Sequence, residues 1–189
     1  MRDIKDLSIL ILPGLGGSGP DHWQTAWGKT FPTMQRVEQE NWENPVYEHW
    51  SARLTQAVAK AERPVVLVAH SLGTSLVMRW SFEQPEHAKK VAGAFLVAPT
   101  YRDRFDALPN APVRGWGPMI LKRLPFASMV VASQDDDRVS FERATAFAKA
   151  WGSTLIDAGN LGHMGSAAKL GDWPFGLYSF AHFIGTLDG

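Results

Sequence analysis

Nineteen basic and nineteen acidic residues cancel over 189 positions with no basic run, which excludes the phosphate-neutralising surface that a nucleic-acid binder needs. A composition 45% hydrophobic and 20% charged suits one globular domain, residues 1–189, with a sizeable core and is too apolar for disorder. Cysteine is absent, so disulfides, cysteine nucleophiles and thiolate metal sites are excluded, and the apolar stretch between Asp6 and Pro13 is too short for a membrane span; a soluble cytoplasmic protein is expected.

In chain order, residues 8–12 form a short apolar run that stops at Pro13-Gly14, predicting a buried strand followed by a glycine-rich loop through Gly19. A helix begins near Asp21, its expected N-cap, and runs to about Phe31 before Pro32. A weaker strand signal covers 35–40, and a helix over 46–61 opens after Pro45. Strand 65–69 leads directly into helix 72–84, which Pro85 ends, and strand 91–97 stops before Pro99. Strand 127–133, helix 141–151, strand 153–157 and a closing helix over 175–187 complete the pattern. Six strands alternating with five helices predict an α/β fold, a mostly parallel sheet covered on both faces, with ligands at the carboxyl ends of the strands. The longest irregular stretch, 99–125, carries Tyr101, Phe105, Trp116 and Met119; it is either a pocket wall or short lid, or a segment packed on the core.

Residues 65–73 read VVLVAHSLG, an apolar strand ending on Ser71 and turning at once into a helix. A nucleophile elbow needs this strand–turn–helix context, with small residues two positions either side of the serine, here Ala69 and Gly73. The plain alternative is a serine N-cap. A neutral serine hydroxyl is a weak nucleophile, so it needs a histidine to take its proton and an acid to orient that histidine. His163 lies in the glycine-rich AGNLGHMGSAA just past a strand, the expected place for a base; His70 is constrained beside Ser71, and His49, His87 and His182 fall on helices. The acid comes from SQDDDR at the end of another strand, and Asp136 is the choice among three neighbours. Asp135 and Asp137 are then helix-capping or solvated, and Asp103 is a further candidate. The order Ser71, Asp136, His163 is that of α/β-hydrolases. Backbone N–H groups of Leu72 and of Leu15, in PGLGG, are the expected oxyanion donors.

Residues 14–19 also spell G-x-G-x-x-G after a strand, with Glu38 placed for a ribose, so a dinucleotide-binding oxidoreductase is a rival. Pro20 disturbs the helix that this motif requires. Gly28-Lys29-Thr30 is excluded as a P-loop by Trp23, five residues before Gly28. The histidines are scattered without H-E-x-x-H, so neither metal nor cofactor is expected. A non-catalytic binding module on a hydrolase fold is the third reading.

The segments LPGLGGSGPDHWQTAW, ENWENP, VAHSLGTSLVMRW, ASQDDDRVSFERA and GHMGSAAKLGDWPFG together resemble the small α/β-hydrolases of the retinoblastoma-binding-protein and YdeN type, over nearly the whole chain. The resemblance implies a hydrolase with little or no lid and a triad on Ser71, His163 and Asp136, cleaving small acyl esters or, in some members, amides. Members usually have Asp-Pro where this chain has Asp136-Asp137, which leaves Asp135 or Asp137 open as the acid. Trp23, Trp42 and Trp173 lie in the family-like HW, NW and GDWP, and are candidates to line an acyl pocket, as is His22 near the oxyanion loop; packing, or a helix end for His22, is the alternative.

Overall fold

A computed structural model describes residues 3–100 and 113–187. Tyr101, Asp103 and Phe105 lie outside the described residues. The six strands are β1 (Ser8–Leu12), β2 (Met34–Arg36), β3 (Val65–His70), β4 (Val91–Val97), β5 (Ala127–Ala132) and β6 (Thr154–Asp157). They pair in the order β2-β1-β3-β4-β5-β6, every pair parallel. A parallel sheet needs both faces covered, and the period of two in the strands divides the core accordingly. Leu10, Leu67, Leu96 and Val130 point to one face, packed under α2 (Tyr47–Lys60), α3 (Leu72–Glu83) and α5 (Phe141–Trp151). Ile11, Val68, Phe95 and Val131 point to the other, under α1 (Trp23–Thr30) and α6 (Pro174–Thr186). Full burial of each such side chain is worth about 1.5–3 kcal/mol, so the central strands β3 and β4 anchor the fold. Among the described residues, no helix is long and apolar enough to cross a membrane.

Several boundaries differ from the sequence-based expectation for identifiable reasons. The second strand ends at Arg36 because its partner β1 ends at Leu12; beyond that point the chain bends, and Trp42 offers its carbonyl to Gly16 N–H at 2.9 Å. The N-cap of α1 is His22, not the exposed Asp21: the imidazole accepts the Gln24 N–H at 3.1 Å. Pro85 ends α3 as expected but also opens a four-residue helix, α4 (Pro85–Ala88), where proline tolerates the first helical position. In the irregular stretch, Trp116 is buried against Tyr47 and Trp50, and Met119 packs on the same core.

Candidate active site

The chain order reverses at β1, flanked by β2 on one side and β3 on the other, which opens a crevice at the carboxyl ends of β1 and β3. Ser71 stands there, between the last residue of β3 and the first of α3. Its φ of 53° and ψ of −121° form a strained turn for a residue with a Cβ. Gly73 explains why the turn closes so tightly: a Cβ there would collide with the carbonyl oxygen of Leu12. Gly14 does the same from the other side, since its Cβ would fall 2.8 Å from that of Ser71 and 3.2 Å from Leu72 N. The glycine loop after β1 therefore closes on the serine, and Glu38, the residue suggested for a ribose, lies beside Arg36 at 3.6 Å instead.

Three chain segments meet at the serine hydroxyl. His163 Nε2 lies 2.8 Å from Ser71 Oγ, and His163 Nδ1 lies 3.0 and 2.9 Å from the two carboxylate oxygens of Asp136. With Nδ1–H donating to the carboxylate, Nε2 carries the lone pair that receives the serine O–H. The Asp136 side chain is 1% exposed, and Oδ1 also accepts the Arg138 N–H at 2.8 Å, so two donors hold the buried carboxylate. Thr100, which the sequence reading missed, places Oγ1 3.1 Å from Ser71 Oγ. It follows β4 by three residues, and the rule that ligands gather at strand ends would have found it.

Asp135 is not simply solvated or a helix cap. It accepts the Gly162 N–H at 2.8 Å and lies 2.7 Å from Ser133 Oγ, which itself accepts the Leu161 N–H at 2.8 Å. The Ser133 hydroxyl and the Gly162 N–H hold its carboxyl below the usual range. This aspartate thus straps the loop that carries His163, while Asp137 is exposed beside Arg138 at 3.4 Å; the cap of α5 is Ser140.

A cavity of about 260 Å³ opens over Ser71. Leu15, Leu72, His22, Thr100, Val113 and Arg138 are among its lining residues. Leu72 is the first residue of α3, so its N–H has no carbonyl one turn earlier within the helix. Of the four pocket candidates, His22 lines the cavity, but Trp23, Trp42 and Trp173 are not among the described lining residues. Trp23 is fully buried and donates Nε1–H to Met164 O at 2.9 Å; Trp173 stacks on Trp27; Trp42 packs edge-on against Trp50. Large apolar rings gain more from burial in the core than at a wet rim, which accounts for Trp23 and Trp173, while Trp42 stays half-buried under the Arg36 guanidinium.

His22 and His70 are both buried. Burial, then the Arg36 charge, then His163, lowers the His22 pKa to about 4. Burial, then His22, then His163, drives that of His70 well below the usual range, against a hydrogen bond to His163 O that favours the charged form.

A family model described as serine hydrolase matches residues 9–182. No curated relative matches the chain. Among solved structures, a protein from Pectobacterium atrosepticum described as a YdeN-like hydrolase is 30% identical, with a TM-score of 0.85 over 98% of this chain and 94% of that one. The ydeN gene product of B. subtilis is 18% identical, with a TM-score of 0.68 over 94% of this chain and 98% of that one. Est1E of Butyrivibrio proteoclasticus, solved with ferulic acid bound, is 14% identical, with a TM-score of 0.65 over 93% of this chain and 89% of that one. The last two share the fold, whereas the family model and the first structure extend over nearly the whole sequence: the chain belongs to the serine hydrolase family and is of the small YdeN type.

Proposed function

We propose that the chain hydrolyses a small acyl ester or amide through an acyl-enzyme on Ser71, with His163 as base and Asp136 as orienting acid. The observation that carries this reading is the unbroken contact from Asp136 through His163 to Ser71 Oγ at the floor of the cavity. Ser71 Oγ attacks the substrate carbonyl carbon as its proton passes to His163 Nε2. The resulting imidazolium stays paired with Asp136. Negative charge on the former carbonyl oxygen is met by the N–H groups of Leu72 and Leu15. Collapse of the tetrahedral species breaks the bond to the leaving group, which takes the proton from His163. Water then gives a proton to the same nitrogen and attacks the acyl carbon; the bond from Ser71 Oγ to the acyl carbon breaks, the acid leaves, and His163 returns the proton to Ser71 Oγ.

About 260 Å³ is below the ~300–1,000 Å³ typical of sites for drug-sized ligands, which favours a short acyl group. On p-nitrophenyl esters from acetyl to decanoyl, kcat/KM is expected to be greatest for the short chains. Absence of turnover across the whole panel would remove the ester reading; a preference for decanoyl would remove the size argument.

A further inference from the structure

Asp136 holds the imidazole of His163, but the backbone that carries the ring needs partners of its own. Gly162 has a φ of 55° and Met164 a φ of 50°, so the base stands between two left-handed residues in a segment that also contains Gly159 and Gly165. Such a backbone has many alternatives, and something must select one. On one side the selection comes from Ser133 and Asp135. On the other, the carbonyl of His163 itself faces His70 Nε2 at 2.8 Å, and that of Met164 receives the Trp23 indole.

We infer that His22 and His70 form a positioning relay, running from the start of α1 to the backbone of His163, that holds the base in register with Ser71. The inference rests on the reading of His163 as the base. Its direction is fixed at both ends by atoms with a single hydrogen-bonding role. Gln24 N–H only donates, and lies 3.1 Å from His22 Nδ1, so that nitrogen accepts. Neutral His22 then carries its proton on Nε2, 3.3 Å from His70 Nδ1. The carbonyl of His163 only accepts, so His70 carries its proton on Nε2 and leaves Nδ1 open to His22. Every nitrogen is used once, and only with both rings neutral: a second proton on either ring would set two N–H groups against each other.

The surroundings favour that state. Among the described residues, the charged or titratable groups facing the rings are Arg36 from β2 and His163 from its loop, with Arg138 on the rim of the same cavity. All are basic. Gln24 keeps the origin of the relay rigid, donating its amide N–H to Val68 O at 3.0 Å and Leu12 O at 3.3 Å while accepting from Ser18 Oγ at 2.6 Å. The relay thus starts from the ends of β1 and β3, the two strands that form the crevice.

Nitrogen-15 NMR of the histidine side chains in the full chain is expected to find His22 and His70 neutral and protonated on Nε2 from pH 6 to 8. A cationic ring, or the Nδ1–H form of either, would overturn the relay. His70→Leu should lower kcat on the order of 10²-fold with little change in KM, as expected for a displaced catalytic group. His70→Gln, whose amide nitrogen reaches the place of Nε2, should recover most of that loss. Unchanged kcat in a folded His70→Leu protein would also overturn the relay. If His70→Leu does not fold, His22→Asn decides: asparagine keeps the helix cap but withdraws the donor from His70, so His70 should take up a proton at higher pH and kcat should fall several-fold. His70 titrating as in the wild type, with unchanged kcat, would count against the relay. Failure of a fluorophosphonate to label wild-type Ser71 would instead remove the hydrolytic reading, leaving the NMR result to judge the relay alone.

Discussion

Replacing Ser71 with alanine is expected to abolish covalent labelling by a fluorophosphonate and to lower ester turnover on the order of 10⁴–10⁶-fold, the range seen when a nucleophile that acts with a base is removed. The fold should survive. Alanine keeps the Cβ already accommodated against Gly14 and the backbone bond from residue 71 N–H to Val97 O at 3.0 Å; only the hydroxyl contacts to His163 and Thr100 disappear. His163→Ala should lose a comparable factor, because the serine proton then has no acceptor. Mass spectrometry of the labelled protein checks the assignment, and labelling that persists in Ser71→Ala would refute it.

The three consecutive aspartates should separate cleanly by kcat on one ester. Asp136→Asn is expected to lower kcat by ~10⁴, because an amide preserves the shape but neither fixes the imidazole tautomer nor stabilises the imidazolium. Asp135→Ala should cost on the order of tenfold, the loss of a charge-assisted bond that steadies the Gly162 backbone, one residue from His163. Asp137→Asn removes an exposed partner of Arg138 and should stay within about twofold of the wild type. A collapse at Asp135 or Asp137 with Asp136→Asn near normal would overturn the order. Circular dichroism of each variant separates lost chemistry from lost fold.

The alternation of strands and helices was legible because apolar runs and proline stops are local signals. The strand over Val91–Val97 and the helix over Phe141–Trp151 are found at the expected positions for that reason. Ser71 and His163 could be proposed because strand ends and chain order constrain them, but the same signals reach all three consecutive aspartates alike, and only the structure brings Asp136 against His163. The tryptophans could not be placed in the same way. Trp23 donates to a carbonyl 141 residues away, and no local pattern tells a pocket wall from a strut of that kind. His22 illustrates the same limit: as a helix cap it replaces a better capping residue, Asp21, for a reason visible only once His70 lies beside it. Asp135 read as a surface charge because its partner, Gly162, comes 27 residues later.

The segment bearing His163 also differs from the sheet in how it would yield to urea. Central strands such as β3 are buried along their whole length and open only with global unfolding, whereas in residues 158–165 only Met164 is fully buried, and the rest of the loop is half-buried or exposed and held by a few hydrogen bonds. Sub-global opening of this segment should therefore come first. Activity should fade at urea concentrations where the circular dichroism is still native, and the Gly162 amide should exchange with solvent faster than that of Val68. An inactivation midpoint would then measure the integrity of one loop, and the thermodynamic stability of the whole chain would have to be read from the sheet.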